Sequence, residues 1–198
     1  TKDEGKLKIT ASEGKLVIVS STKEWTYDGQ THTDEVYTVT YKGETATADE
    51  AGKVFTLSTG DTVTITATAA GVKDYDASYS ENNTYRYVIS NASSYNDVKT
   101  SIGTLSINKR SVTLTSESGD KPYDGTPLTK PTVAVSGDGF VEGEVSDIKA
   151  TGSVTTVAEG EVTNTITYTE GQAFKADNYN ITKDEGKLKI TASEGKLV

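Results

Sequence analysis

Two acidic loops are the segments of this chain whose side chains could bind a metal ion. Asp74 and Asp76 lie two positions apart, and Asp138 is followed by Glu142 and Glu144. Carboxylate oxygens suit Ca²⁺, but this ion takes about six to eight of them, and neither loop has the spacing of an EF-hand. We therefore expect solvated loops and no cofactor or metal, with calcium at Asp74, Asp76, Asp138 and Glu142 as the alternative.

Aromatic side chains in the first half of the chain could bind a ligand. The candidates are Trp25, Tyr75, Tyr79 and Tyr85. Such rings could stack on the C–H groups of a sugar, which would make this region a glycan- or protein-binding adhesin module. Tyr85 and Tyr87 are spaced as on one face of a strand, and this spacing favours packing inward or across strands instead.

No arrangement of residues typical of an enzyme is found. His32 is the one histidine and lies in a polar stretch, the chain has no cysteine, and no serine lies in a GxSxG motif. A catalytic triad or a metal cluster needs several such groups together. The sequence therefore predicts a protein that is not an enzyme.

The composition is that of an acidic, folded protein. The formal net charge is −9 and the pI is about 4.7. Nucleic acid and anionic membranes are bound through basic surfaces, so we expect neither as a partner. No apolar run is long enough for membrane insertion. The lack of cysteine and methionine excludes disulfides and is typical of exposure to an oxidising, extracellular medium.

The chain repeats itself at a long period. The segment TKDEGKLKITASEGKLV, residues 1–17, recurs unchanged as residues 182–198, so the period is given by 182 minus 1, which is 181. Chance does not produce a match of that length, and a fixed long period is typical of tandem arrays. The period is itself double, because residues 16–29 align without a gap with residues 112–125.

This alignment predicts two related domains. Residues 14–110 form the first and residues 111–192 the second; residues 1–13 are the last strand of a preceding repeat, and residues 193–198 begin the next. The first domain is longer, and we place most of the excess in an extra hairpin at 43–61.

Apolar and polar residues alternate along several short segments, as in half-buried antiparallel strands. The clearest are 61–69 and 162–168, and shorter cases are 35–41, 85–89, 105–107, 132–136 and 188–190. We predict an all-β fold of two tandem antiparallel, immunoglobulin-like β-sandwiches, with β-grasp-like domains as the alternative. The strand at 105–107 runs into the next domain with no flexible spacer, which predicts an elongated rod.

The tripeptide Tyr-Asp-Gly occurs once in each domain, and we interpret both copies as turns. Aspartate can accept hydrogen bonds from the backbone that follows it, and glycine adopts positive φ without steric cost. The residues are Tyr27, Asp28 and Gly29 in the first domain and Tyr123, Asp124 and Gly125 in the second.

The second domain carries further recognisable motifs. Residues 121–140 read KPYDGTPLTKPTVAVSGDGF, and NYNIT and GKLKIT follow. This pattern resembles the MBG-type and bacterial immunoglobulin-like tandem repeats of Gram-positive cell-surface, adhesin-like proteins, over most of residues 111–191. The first domain departs from it, since Trp25 precedes the YDG motif and PLT is missing. The resemblance implies a secreted, cell wall-anchored protein with no catalytic residue.

The function we expect is that of a non-catalytic stalk or spacer repeat, which projects a distal adhesive region from the cell surface. Its partners would be neighbouring copies of the same repeat, head to tail. The alternatives are binding of a host or bacterial surface glycan or protein, and a filament subunit. In the filament, residues 1–10 of one molecule would take the last-strand position of another, because they duplicate that strand.

Overall fold

The computed structural model of the chain describes residues 14–193. These residues form 20 β-strands and three single-turn 3₁₀ helices, and no α-helix occurs among them. The chain is therefore all-β, as predicted. The segment proposed to exchange between molecules, residues 1–10, lies outside the described residues, as do the rest of residues 1–13 and residues 194–198, which are assigned to the neighbouring repeats.

The contacts divide the described chain into two compact units. Unit 1 contains residues 14–25 and 30–107, and unit 2 contains residues 26–29 and 108–193. The short segment 26–29 thus packs with unit 2, although it lies between two segments of unit 1. We call it the first tongue; the equivalent segment 122–125, which lies within unit 2, is the second tongue.

Ten strands lie at or before residue 108. They are β1 Leu16–Ser20, β2 Lys23–Thr26, β3 Tyr37–Tyr41, β4 Glu44–Thr45, β5 Thr47–Ala48, β6 Val54–Thr56, β7 Thr62–Ala67, β8 Tyr85–Ile89, β9 Val98–Ser101 and β10 Leu105–Asn108, with a 3₁₀ helix at Ala92–Ser94. The sheet orders are β4-β3-β1-β9, β5-β6-β7-β8 and β10-β2. Three of these strands, β4 to β6, lie in the region where the sequence places an extra hairpin, and β5 pairs with β6.

Ten more strands follow. They are β11 Arg110–Ser116, β12 Gly119–Pro122, β13 Leu128–Thr129, β14 Val133–Gly137, β15 Val145–Ala150, β16 Ser153–Val154, β17 Glu161–Thr163, β18 Ile166–Glu170, β19 Tyr179–Asp184 and β20 Lys187–Thr191, with 3₁₀ helices at Val157–Glu159 and Ala176–Asn178. The sheet orders are β14-β11-β19, β12-β20-β17, β13-β16 and β15-β18.

The first and last segments of unit 2 run parallel to each other. Strand β11 pairs with β19, from Arg110 opposite Tyr179 onward, and β12 pairs with β20, from Gly119 opposite Leu188 onward. The offset between partners is the same in both ladders, since 179 minus 110 equals 188 minus 119. In unit 1, β1 and β9 are likewise parallel. The prediction of antiparallel strands therefore holds for most ladders but not for these three. Alternation reports a half-buried face, and it carries no information on which strand is the neighbour.

The core of each unit is built by the alternation of its strands. Along β1, Leu16, Ile18 and Ser20 are buried, and the residues between them are half-buried. Strands β3, β7, β11 and β20 repeat this pattern. Unit 1 adds several tyrosines to its core, whereas one cluster of unit 2 consists of Val154, Leu188 and Ile190.

A buried serine, asparagine and glycine tie the strands together at the same place in both units. We call this arrangement the Ser–Asn–Gly clasp. In unit 2, the Gly186 backbone amide donates to Ser116 Oγ at 3.0 Å, and the Asn164 backbone amide donates to the Gly186 carbonyl at 2.8 Å. In unit 1, Ser20, Asn83 and Gly103 make the corresponding bonds at 2.9 and 3.0 Å.

The clasp explains why one predicted strand is interrupted. Alternation predicts a single strand over residues 162–168, but β17 ends at Thr163 and β18 begins at Ile166. Between them the fully buried Asn164 donates its side-chain amide to the carbonyls of Glu117 and Lys130, at 3.0 and 2.8 Å. A buried amide that is satisfied in this way turns the chain from one sheet into the next.

Candidate functional site

The two acidic loops do not converge on a metal. Asp76 Oδ1 accepts hydrogen bonds from the Ser78 hydroxyl and amide, which lower its pKa, and Asp138 Oδ2 accepts the Ser111 amide at 2.9 Å. Glu142 is exposed, and Asp74 is half-buried. Within residues 14–193, no group of three or more His, Cys, Asp or Glu side chains is placed to hold a metal ion.

The four candidate ligand-binding aromatics are all half-buried. Tyr85 donates its hydroxyl to the Ile18 carbonyl at 2.7 Å, and its ring lies edge-on to Tyr37, with the ring centroids 5.5 Å apart. Trp25 is stacked on His32 at 4.9 Å. Tyr75 and Tyr79 lie in the irregular segment between β7 and β8. Tyr85 therefore helps to hold unit 1 together, and Trp25 and His32 pack on each other.

Both Tyr-Asp-Gly segments lead into a bend of the backbone with the glycine at positive φ. Gly29 has φ of 78° and Gly125 has φ of 79°. Asp124 Oδ1 accepts hydrogen bonds from Lys121 Nζ and from the amide and hydroxyl of Thr126, and these contacts hold the pKa of Asp124 well below its usual range. Asp28 is exposed.

The most unusual group in unit 2 is a buried carboxylate that binds two tyrosines. Glu144 is 4% exposed; Oε1 accepts the Tyr27 hydroxyl at 2.6 Å, and Oε2 accepts the Tyr179 hydroxyl at 2.7 Å. The two rings meet edge-on with centroids 5.5 Å apart. Burial, reinforced by the hydrogen bond to Glu144, raises the pKa of Tyr179. Each oxygen of the carboxylate has a hydroxyl donor, which is the condition for burying a charge.

A second contact fixes the first tongue by its backbone. The Arg110 guanidinium donates to the Tyr27 carbonyl at 3.1 Å and also to the carbonyls of Asp138 and Gly139. Gly29 lies close to Val141, where an added Cβ would approach the valine Cγ1 to 3.2 Å. The first tongue is thus held by the hydroxyl and the carbonyl of Tyr27 and by the contact of Gly29 with Val141. Tyr27 is only 2% exposed. We call the groups that hold it, Glu144, Tyr179 and Arg110, the seat of the first tongue.

Unit 1 contains a carboxylate–tyrosine pair at the corresponding position. Asp61 precedes β7 as Glu144 precedes β15, and Tyr95 follows a 3₁₀ helix as Tyr179 does. The Tyr95 hydroxyl donates to Asp61 Oδ2 at 2.6 Å, and burial raises the pKa of Tyr95.

A cavity of about 480 Å³ lies in unit 1 near this pair. Tyr41, Leu57 and Ser58 are among its lining residues. The Tyr41 ring packs edge-on against Tyr95 at 5.4 Å, and the backbone turn from Leu57 leads directly to Asp61.

Reasoning from the sequence does not select these residues. It places Glu144 in a solvated acidic loop, although Glu144 is one of six polar or charged residues buried among the described ones. Two signals point to the right places: the repeat of Tyr-Asp-Gly coincides with the tongues, and the alignment of Ser20 with Ser116 coincides with the clasps.

No helix in the described part of the chain is long and apolar enough to cross a membrane. Comparison with protein-family models, with curated proteins and with solved structures finds no match to this chain.

Proposed function

We propose that the chain is a load-bearing stalk or spacer segment of a large secreted surface protein, built from immunoglobulin-like β-sandwich repeats. It is non-catalytic and cell wall-anchored, and it projects a distal adhesive region. The recurrence of residues 1–17 as residues 182–198 supports the array, because an identical copy then follows each period.

The parallel pairing of the first and last strands of unit 2 is the main observation that supports a load-bearing role. In an array, tension enters unit 2 at Arg110 and leaves at Thr191, in opposite directions. The ladders β11–β19 and β12–β20 then slide against each other. Because all hydrogen bonds of a sheared ladder are strained together, such a pair resists force better than an antiparallel pair that is opened bond by bond from one end.

The charge of the chain fits the same function. A net charge of −9 on 198 residues makes neighbouring stalks repel each other, which keeps an array soluble and separate. The neighbours along the array are the partners that this function requires.

Recognition of a glycan is the competing function, and fewer observations support it. An adhesive surface needs aromatic faces that are open to a sugar. Tyr85 is tied to the β1 backbone, and Trp25 stacks on His32. We therefore assign the spacer function first, and a glycan array with the full chain would decide between the two.

Small-angle X-ray scattering of chains with one, two and three periods tests the spacer function. Each added period is expected to increase the maximum dimension by a constant amount, with or without calcium. If added periods leave the maximum dimension nearly unchanged, or if the chains collapse on each other, the spacer function is wrong. Compaction on adding calcium would instead support calcium binding at the acidic loops.

A further inference from the structure

The two tongues leave their strands in the same way. The Tyr27 amide donates to the Asn108 carbonyl at 2.9 Å, and the Tyr123 amide donates to the Thr191 carbonyl at 2.8 Å. Asn108 is the last residue of β10, and Thr191 is the last residue of β20. Both tongues therefore begin beside the last residue of a strand, that of β10 or that of β20.

The two tyrosine side chains nevertheless differ greatly in exposure. Tyr27 is 2% exposed because it packs within unit 2 on Glu144 and Tyr179, whereas Tyr123 is 47% exposed. Residues 182–198 repeat residues 1–17, so the unit that follows Tyr123 in the array is another unit 1. Tyr123 therefore lacks the seat that buries the equivalent Tyr27.

Unit 1 has the groups that a tongue needs. Asp61 and Tyr95 correspond to Glu144 and Tyr179, and they form the same hydrogen-bonded pair. Asp61 is half-buried, and its Oδ2 accepts the hydroxyl of Tyr95. Its Oδ1 accepts the Ser90 hydroxyl in a long bond of 3.5 Å. The pair therefore retains an oxygen that can accept a further hydroxyl.

Unit 1 also has a cationic side chain in the place of Arg110, although it comes from a different position in the sheet. The register of β1 with β3 and of β11 with β14 makes Gly14 the equivalent of Arg110, and Lys42 the equivalent of Asp138. A Cβ built on Gly14 would meet Lys42 Cε at 2.5 Å, so the lysine side chain fills the space that the arginine takes in unit 2. Lys42 can donate to a tongue carbonyl as Arg110 does.

One replacement alters the seat. Tyr41 stands where unit 2 has Gly137, and its ring lies edge-on to Tyr95, at a centroid distance close to that between Tyr27 and Tyr179. Tyr41 thus takes the place beside Tyr95 that Tyr27 takes beside Tyr179, and a tyrosine of an incoming tongue would lie next to Tyr41. The adjoining cavity of about 480 Å³, which Tyr41 itself lines, provides that space.

We propose that the second tongue, Tyr123-Asp124-Gly125, docks into the unit 1 that follows it in the array. Its seat is formed by Asp61, Lys42 and the cavity beside Tyr41. This inference rests on the proposed tandem array and names the contact by which one period binds the next. The partner is thus a second copy of this chain's own first unit.

The test compares the chain of residues 1–198 with one extended by residues 18–111, which adds a single further unit 1 and leaves Tyr123 unique. Hydroxyl-radical footprinting with mass spectrometry reports the reactivity of each tyrosine. In the extended chain the Tyr123 reactivity is expected to fall several-fold, to the level of buried Tyr27 in the shorter chain. Tyr168, which is half-buried in unit 2 and also occurs once, serves as the internal reference and stays unchanged.

Variants of the added unit establish where the tongue docks. Asp61→Asn with Lys42→Ala in that unit should restore the reactivity of Tyr123, whereas Lys99→Ala, at an exposed lysine of the same unit, should not. Unchanged Tyr123 reactivity on extension would overturn the inference. If the extended chain still lengthens in scattering, the failure concerns the tongue alone, and the spacer function stands.

Discussion

Replacement of Tyr27 by phenylalanine removes one hydrogen bond from the buried carboxylate of unit 2. The ring and its packing on Tyr179 stay in place, so the 2.6 Å bond from the hydroxyl to Glu144 Oε1 is lost while the apolar contacts are kept. Hydrogen bonds to charged groups contribute about 1.5–3 kcal/mol, so we expect the free energy of unfolding of unit 2 to fall by about 2 kcal/mol.

Tyr37→Phe is the matched control for this variant. The Tyr37 hydroxyl is buried and has no hydrogen-bond partner among the described residues. An unpaired buried hydroxyl destabilises the fold, so its removal should leave the free energy of unfolding unchanged or raise it. The two variants delete the same atom from the same residue type, so the difference between them isolates the bond to Glu144.

Urea unfolding followed by pulsed hydrogen–deuterium exchange reports the two units separately. For Tyr27→Phe, the transition of peptides from β11 and β19 should move to lower urea, while those from β1 and β3 stay in place. A loss below about 0.5 kcal/mol, which is the range of a neutral substitution, would refute the assignment of the first tongue to a stabilising contact in unit 2.

Three further variants or conditions give independent checks. Asn164→Ala leaves the Gly152 amide and the carbonyls of Glu117 and Lys130 without the side chain that binds them, and should cost unit 2 about 3 kcal/mol in urea unfolding. Asn180→Ala, at an exposed position, should cost little. Gly186→Ala drives a methyl group into the Glu117 backbone and should cost about 3 kcal/mol, whereas Gly119→Ala meets only the flexible end of a lysine and should be tolerated. The raised pKa of Tyr179 predicts that stability is complete below its ordinary value of 10.0 and is lost above it, because only the unfolded tyrosine then releases its proton. The free energy of unfolding, measured with urea from pH 9 to 11, should fall by up to about 1.4 kcal/mol per pH unit for this group, and Tyr179→Phe should remove that share.

The sequence predicts the strand-rich class of the fold because alternation is a local property. Residues 61–69 alternate strictly, and β7 occupies Thr62–Ala67; residues 85–89 are β8 without change. Each strand needs only its own pattern of buried and exposed faces to be recognised. The direction of pairing is not local, so the parallel partners of β11 and β12 could not be predicted from alternation.

The candidate site is harder to predict than the strands. Glu144 has the residue type and the acidic neighbours of a solvated loop, and only long-range packing brings Tyr27 to it across 117 positions. Asn164 lies in a run of alternating residues and resembles one more strand position, yet its side chain replaces backbone pairing at that point. In both cases the decisive partners are distant in sequence, and the pattern around the residue contains no trace of them.

Pulling unit 2 in two directions tests the load-bearing claim most directly. Because the chain has no cysteine, handles can be attached at two introduced cysteines. Pulling between Lys109→Cys and Ser193→Cys shears the parallel pair β11–β19. Pulling between Lys109→Cys and Glu142→Cys opens the antiparallel pair β11–β14 from one end. At equal loading rate, single-molecule force spectroscopy should show a several-fold higher unfolding force for the 109–193 pair. Equal forces, or a weaker 109–193 direction, would contradict the proposal that this repeat carries load along the chain.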